Sequence, residues 1–250
     1  MNDPISKKLH ENVGTELKKI IHSLTPNPQS ILEAGIGEGN TLSHLLQHFE
    51  TPIVSYGFDI SWSRIAYARN WLKSQNCKNT VLFTGDLLNI PCADNAFDIV
   101  YTAHAIEPNR GKEQPILQEL FRVAKKYLIL LEPSYELASE ESKQRMDEHG
   151  YIKGLEETAL KLEYNVVEYK LFKYTANPLN PTAIMIIQKN STTSEPSFIL
   201  ADPQFKTPLQ EKNNVLFSPD SLKVYPIIDG IPCLRIENGI VASKYAEFVH

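Results

Sequence analysis

A cluster of glycines near residue 35 is the part of the sequence best suited to hold a ligand. The segment ILEAGIGEGN places Gly35, Gly37 and Gly39 within five residues, between a predicted strand and a predicted helix. Glycine tolerates positive backbone φ angles and lets a ligand lie against bare backbone. The spacing G-x-G-x-G differs from the G-x-G-x-x-G of dinucleotide-binding loops, because Asn40 stands three residues after Gly37. We therefore expect a ligand against this loop, and the spacing weakens a dehydrogenase interpretation.

Two acidic residues follow the glycine loop at the ends of later predicted strands. Asp59 closes the strand YGFD, 20 residues after Gly39, where a carboxylate can accept hydrogen bonds from two ribose hydroxyls. A third strand ends in FTGDL, which places Asp86 directly after Gly85. Nicotinamide and adenosyl sites share the ribose carboxylate. Asp59 alone therefore predicts a ribose and not a reaction.

Alternating strands and helices must position these residues. An amphipathic helix over residues 5–24 precedes a stop signal at 25–28. Strands are predicted at 30–34, 53–58, 80–84, 97–102, 127–132, 165–174 and 182–188, and helices at 40–49, 61–75, 112–125 and 138–162. This alternation predicts an α/β protein with a parallel sheet covered on both faces. The last two of the seven strands should pair antiparallel, because the connection ANPLNPT is too short for a crossover helix.

Taken together, the motifs resemble those of a known enzyme family. ILEAGIGEGN, YGFD and FTGDL, followed by Pro91 and the strand FDIVYTAHAIEP, resemble class I S-adenosylmethionine-dependent methyltransferases, including small-molecule and quinone-pathway enzymes, over about residues 30–190. The resemblance implies a Rossmann-like doubly wound fold, with S-adenosylmethionine as methyl donor and S-adenosylhomocysteine as product. The implied cofactor residues are Glu33, Gly35, Gly37 and Gly39 around the methionine moiety, Asp59 at the ribose, Ile60 on the adenine ring, Asp86 and the Leu87 amide at the adenine edge, and Thr102 in the segment lining the methyl donor.

Candidate acceptor-side residues follow the fourth and fifth predicted strands. Methyl transfer needs a nucleophile aligned about 3 Å from the methyl group, and a base only if that nucleophile carries a proton. Tyr101, His104 and Glu107 follow the fourth strand, and Tyr135 follows the fifth. His104 is the preferred base because an imidazole can take up a proton near pH 7. Packing, cofactor contact and substrate positioning stay open as alternative roles for His104.

Acidic and polar segments surround these candidates. Glu107, Glu132 and Glu136 could attract a cationic acceptor, although a solvated rim is the favoured interpretation. The N-terminal helix (residues 1–29) and the polar stretch 139–164 are expected to form a substrate lid.

The C-terminal segment has a different character. The linker-like NSTTSEPS at 190–197 predicts domains at 1–29, 30–193 and 194–250, with tail strands near 215–217, 224–228 and 233–236. YPIIDGIP at 225–232 resembles the zinc-ribbon-like domain of methyltransferase activator subunits. At the positions of that domain's four thiolates the chain has Asp202, Phe205, Ser218 and Ser221, which form no zinc site. We expect a degenerate, metal-free, β-rich domain that docks on a larger surface, because it is small.

Composition excludes several classes of protein. The 250 residues carry 25 Lys and Arg against 30 Asp and Glu, a net charge of −5, which argues against a nucleic-acid binder. The chain has no long apolar run and no leader-like start, so we predict a cytoplasmic protein outside membranes. The 3 cysteines are too few for a disulfide framework or a Cys-rich metal site. His44 and His48 have metal-ligand spacing but no evident third ligand, so no metal is predicted.

Three functions stay open at this level. The favoured one is methyl transfer from S-adenosylmethionine to oxygen or nitrogen of a small or medium-sized acceptor. A catalytically idle scaffold is encouraged by the degenerate tail. An RNA or protein methyltransferase with a built-in activator is opposed by the acidic charge and by the motif TAHA at 102–105. A homo-oligomer formed through the C-terminal domain is also left open.

Overall fold

A seven-stranded sheet forms the centre of the molecule. The computed structural model describes residues 4–49, 53–77, 79–189, 191 and 196–248. The strands are β1 (Ser30–Ala34), β2 (Val54–Asp59), β3 (Thr80–Thr84), β4 (Phe97–Ala103), β5 (Ala124–Pro133), β6 (Asn165–Leu171) and β7 (Thr182–Gln188). Their spatial order is β3-β2-β1-β4-β5-β7-β6, and β7 runs antiparallel to both neighbours. The predicted Rossmann-like sheet with an antiparallel last strand is therefore confirmed.

Helices cover both faces of this sheet. They are α1 (Pro4–Leu24), α2 (Asn40–Leu46), α3 (Trp62–Ser74), α4 (Glu113–Val123), α5 (Glu140–Glu148) and α6 (Leu155–Lys161). One apolar core joins the sheet to α1, α2 and α3, for example through the fully buried Leu17 and Leu42. The opposite core joins the sheet to α4 and α6 through Leu117 and Ala159. None of the helices in the described ranges is long and apolar enough to cross a membrane.

The strand order of the sheet reverses between β1 and β4. β1 pairs with β2 on one side and with β4 on the other, all parallel. In open α/β sheets, ligands bind in the crevice at the carboxyl ends of strands where the strand order reverses. The glycine loop after β1 and the loop after β4 both lie at this crevice.

The single long helix predicted at 138–162 is wrong. The segment forms two helices, α5 and α6, separated by residues 149–154. Gly150 follows the end of α5 and Gly154 precedes the start of α6, and both have a φ of 64°, in the left-handed region. Between them, Ile152 is buried, and its N–H donates to the Glu107 carbonyl oxygen at 3.0 Å. Burial of Ile152 favours the break over a continuous solvated helix.

The tail forms a small antiparallel sheet, which confirms the predicted β-rich C-terminal region. Its strands are β8 (Gln210–Lys212), β9 (Val215–Ser218), β10 (Lys223–Ile228), β11 (Ile231–Pro232) and β12 (Ile240–Val241), followed by α7 (Tyr245–Phe248). The strand predicted at 233–236 is wrong, because the pairing with β10 ends at Pro232 and residues 236–238 form a 3₁₀ turn. Cys233 instead forms an isolated parallel β-bridge with Thr84, the last residue of β3.

The tail packs against the main sheet within the same chain. Leu216, Tyr225 and Leu234 are buried in the same apolar core as α4 and α6. The Leu234 N–H donates to the Thr84 carbonyl oxygen at 3.2 Å, and Arg69 of α3 forms an ion pair with Asp229. The tail thereby pairs with the carboxyl end of β3, the edge strand of the main sheet, at Thr84.

Candidate cofactor and acceptor sites

The loop after β1 adopts the backbone that its glycines predicted. Gly35, Gly37 and Gly39 have φ angles of 76°, 55° and 79°, all left-handed. The N–H groups of Gly35 and Ile36 both donate to the Phe58 carbonyl oxygen at 2.9 Å, which pins the loop to the end of β2. A Cβ atom on Gly35 would lie 2.3 Å from the Cβ of Ala105. Position 35 therefore requires glycine for its conformation and for its close packing on the loop after β4.

Asp59 is fixed by the same loop. Its Oδ2 accepts from the Gly37 N–H at 3.1 Å, and its Oδ1 accepts from the Ser61 N–H at 2.9 Å. Asp59 is only 7% exposed, so the carboxylate has little freedom to move. A carboxylate has about four lone-pair positions, and these bonds use two of them. The remaining two are free for a pair of hydroxyl donors such as those of a ribose.

A first cavity, of about 330 Å³, opens at this crevice. Five of the predicted cofactor residues line it, namely Gly35, Asp59, Ile60, Asp86 and Leu87. Ile60 is 52% exposed and offers an apolar side chain for a flat ring. The Oδ1 of Asp86 accepts from the Leu88 N–H at 2.9 Å, which fixes that turn. Arg64 and Asn109 also line the cavity, and sequence reasoning missed both because no motif marks them.

The other predicted cofactor residues do not line this cavity. Gly37 and Gly39 shape the loop, and Thr102 is buried within β4. Glu33 is buried beneath the loop, where its Oε2 accepts a hydrogen bond from the Tyr101 hydroxyl at 2.8 Å. Burial raises the pKa of Glu33 to about 8. Tyr101, predicted as an acceptor-side residue, is likewise fully buried and pairs with Glu33.

The loop after β4 is anchored from below by Glu132. Its two carboxylate oxygens accept from the N–H groups of Ala105 and Ile106 at 3.0 and 3.1 Å. Glu132 is only 2% exposed. The interpretation of Glu132 as part of a solvated rim is therefore wrong, because its charge is used to hold backbone amides at the crevice.

His104 stands at the start of that loop in a strained conformation. Its φ is 56°, which is uncommon for a residue with a side chain and typical of functional sites. Its Nδ1 lies 3.1 Å from Glu107 Oε2, and its Nε2 lies 2.9 Å from the Thr182 hydroxyl. Burial lowers the pKa of His104, but the hydrogen bond to Glu107 and the charges of Glu132 and Glu107 outweigh it and raise the pKa.

Both ring nitrogens of His104 have hydrogen-bond partners. The Glu107 carboxylate can only accept, so His104 Nδ1 carries a hydrogen and donates to it. Nε2 pairs with the Thr182 hydroxyl, which also lies 3.4 Å from Thr175 Oγ1. Because both nitrogens are engaged with protein partners, the arrangement fits positioning better than the base role.

A second cavity, of about 250 Å³, meets the first at His104. The N-terminal half of α1 covers it with Leu9, His10 and Val13, and Phe172 and Tyr174 close another side. Sequence reasoning missed His10, although its place three residues before Val13 on the apolar stripe of α1 was a usable signal.

The remaining candidates lie elsewhere. Tyr135 lines neither cavity, and its hydroxyl donates to Asp147 Oδ2 at 3.0 Å. Nothing in its surroundings supports a catalytic role. His48 Nε2 lies 2.9 Å from the Thr15 hydroxyl of α1. In the described ranges, no three His, Cys, Asp or Glu side chains gather as metal ligands.

The strand order and the position of the crevice are those of the class I methyltransferase fold. Residues 31–127 match the family model described as a methyltransferase domain. The chain is 34% identical over 98 residues to ajmaline N-methyltransferase from Rauvolfia serpentina, a match that covers 39% of this chain. That segment spans only 33% of the relative's length.

Two solved structures illustrate the likeness in fold. Magnesium protoporphyrin IX methyltransferase from Synechocystis, solved with bound SAH, superimposes with a TM-score of 0.59 at 13% identity, over 76% of this chain and 89% of that one. The [4+2]-cyclase SpnF superimposes with a TM-score of 0.54 at 14% identity, over 70% and 80%. At these identities the likeness concerns the fold alone. Because a cyclase shares that fold, the reaction must be argued from the site.

Proposed function

We propose that this protein transfers a methyl group from S-adenosylmethionine to oxygen or nitrogen of a small or medium-sized acceptor. The observation that carries the proposal is Asp59, whose carboxylate is locked by the glycine loop and keeps two lone pairs for ribose hydroxyls. The match of residues 31–127 to a methyltransferase domain supports it. The donor, when bound, supplies a methyl group on a positively charged sulfur.

The residues of the first cavity fit this donor. Asp59 binds the two ribose hydroxyls, Ile60 packs on the adenine ring, and Asp86 with the Leu87 amide binds the adenine edge. Gly35 lets the donor lie against backbone, because a side chain there has no room. Such a site contributes mainly by alignment and by excluding water.

The acceptor belongs in the second cavity, under the N-terminal helix. α1 acts as a lid because it covers that cavity and packs closely on α2 through Gly14. The named activity of the plant relative is N-methylation, which supports a small-molecule acceptor. The three free cysteines suit a reducing compartment, and we place the protein in the cytoplasm.

Methyl transfer is tested with isotopically labelled S-adenosylmethionine and a panel of phenols, alcohols and amines. The expected result is a product heavier by one labelled methyl group, together with S-adenosylhomocysteine. Binding of S-adenosylhomocysteine without turnover, with another protein co-purifying, would favour the idle scaffold. Failure to bind S-adenosylhomocysteine would overturn the proposal.

We propose further that the tail is a zinc ribbon that has lost its metal. Two turns of the tail, residues 202–206 and 218–222, have the same construction. Each has proline as its second residue. The fifth residue of each, Lys206 and Leu222, has a left-handed backbone, with φ of 62° and 54°. Asp202 Oδ1 accepts from the Phe205 N–H at 2.8 Å, and Ser218 Oγ accepts from the Ser221 N–H at 3.2 Å.

Hydrogen bonds join the two turns where a metal would stand. The Ser221 hydroxyl donates to Asp202 Oδ2 at 2.6 Å, and Asp202 and Ser218 are fully buried. A variant with cysteine at positions 202, 205, 218 and 221 should bind one Co²⁺ with a thiolate charge-transfer band, whereas the unmodified chain should bind none. Absence of that band in a folded variant would contradict the ribbon origin.

A further inference from the structure

The second cavity has two imidazoles in its lining, and they differ in their hydrogen bonding. His104, at the boundary with the first cavity, uses both ring nitrogens, and His10 faces it from α1. Within the described part of the chain, the ring nitrogens of His10 make no hydrogen bond. One nitrogen of His10 is therefore free to accept a proton from whatever occupies the cavity.

Its surroundings keep His10 neutral. Burial lowers the pKa of His10, and the nearby His44 and His104 lower it further. His44 lies close enough on α2 to act on its charge, Tyr174 lines the same cavity, and Glu107 is the hydrogen-bond partner of His104. A neutral imidazole can take a proton, and the neighbouring His104, whose pKa is raised by Glu107 and Glu132, favours the anion that remains.

The lining of the cavity selects among acceptors. No carboxylate occurs among its lining residues within the described ranges, so a cationic ammonium would lack a counter-charge there. Phe172 and Tyr174 present aromatic rings, and the remaining lining is mostly apolar. A cavity of about 150 Å³ holds benzene. The 250 Å³ here suits a substituted single ring or a compact two-ring molecule.

We propose that the acceptor is a phenol and that His10 removes its proton. This inference rests on the proposed function. The phenol O–H bond breaks and its proton goes to His10, and an oxygen electron pair forms the bond to the methyl carbon as the S–CH₃ bond breaks and its electron pair stays on sulfur. The products are a methyl ether and S-adenosylhomocysteine, and His104 holds the charge of the phenolate before transfer.

The test uses 4-nitrophenol, whose phenolate absorbs in the visible, bound to the protein with S-adenosylhomocysteine present. The variant is His10→Gln, with His22→Gln as matched control, because His22 is an exposed histidine on the same helix. In a buffer below the pKa of free nitrophenol, wild type and the control should show the phenolate band. In His10→Gln the band should fall roughly tenfold, and phenol methylation should fall about 100-fold.

A second variant at position 10 and a binding measurement complete the test. A second variant, His10→Phe, fills the same space without a base, and it should also bind nitrophenol in the protonated form. A phenolate band and methylation rate within twofold of wild type in His10→Gln would overturn the inference, as would wild-type turnover of amines but not phenols. Calorimetry with S-adenosylhomocysteine distinguishes failure of this inference from failure of the proposed function. If wild type does not bind S-adenosylhomocysteine, the proposed function itself fails.

Discussion

Replacing Gly35 by alanine tests whether the glycine loop and the loop after β4 are packed as tightly as their backbones indicate. The added Cβ would lie 2.3 Å from the Cβ of Ala105, well inside van der Waals contact. Ala105 cannot easily move, because its N–H and that of Ile106 are held by the buried Glu132 carboxylate. The strain must therefore spread into the crevice.

Gly37→Ala provides the matched control for this perturbation. Gly37 also has a positive φ, but its nearest neighbour to an added Cβ is Arg64 Nη1 at 3.6 Å, an ordinary contact. Both substitutions carry the left-handed penalty of about 1–2 kcal/mol. Only Gly35→Ala adds an overpacking cost of about 1–3 kcal/mol. For a chain of this size the difference corresponds to a further fall in Tm of roughly 2–12 °C.

The assay is thermal unfolding of the ligand-free variants, followed by S-adenosylhomocysteine binding. Gly35→Ala should melt below Gly37→Ala, and adding Ala105→Gly to Gly35→Ala should recover most of the difference. The reasoning is refuted if Gly35→Ala and Gly37→Ala melt together, or if Ala105→Gly recovers nothing.

Three other perturbations follow from the same contacts. Burial raises the pKa of Glu33 to about 8 from an ordinary 4.5, so its contribution to stability is present at low pH and is lost as pH rises through 8. Glu33→Gln should therefore weaken the fall of Tm between about pH 5 and pH 9. An unchanged slope of Tm against pH would contradict this. A Cβ on Gly14 would lie 2.8 Å from His44 Cβ and from Leu45 N, so Gly14→Ala should displace α1. Nitrophenol binding should weaken by roughly tenfold or more, while S-adenosylhomocysteine still binds. Equal loss of affinity for both ligands would argue against a lid. Asp202→Ala removes a fully buried carboxylate that accepts from the N–H groups of Gln204 and Phe205 and from the Ser221 hydroxyl. It should cost about 1–3 kcal/mol in chemical denaturation, and Asp202→Asn should partly restore that loss. A cost below about 0.5 kcal/mol would mean that the network does not hold the tail.

The sheet and the cofactor crevice were predictable because their signals are local. Short apolar strands, glycines between a strand and a helix, and acidic residues at strand ends each depend on a few neighbouring residues. Asp59 and Asp86 come together because parallel strands end at one edge of a sheet, which the alternation of strands and helices already implies. The break between α5 and α6 was missed because the burial of Ile152 depends on a distant partner, the Glu107 carbonyl.

The acceptor side was less predictable because it depends on tertiary packing. His10 reaches the second cavity only when α1 docks on α2 through Gly14. The orientation of the His104 ring depends on Thr182, 78 residues away. Similarly, Glu132 in β5 binds the N–H groups of Ala105 and Ile106, which belong to the loop after β4. None of these partners is marked by spacing in the sequence.

Titration calorimetry with S-adenosylhomocysteine, comparing wild type with Asp59→Asn, measures how much Asp59 contributes to cofactor binding. We expect one site per chain in wild type. In Asp59→Asn we expect a loss of affinity of roughly tenfold or more, because the amide replaces a charged acceptor for the ribose hydroxyls. Wild-type protein that binds a nicotinamide dinucleotide but not S-adenosylhomocysteine, or equal affinities in both proteins, would contradict this expectation.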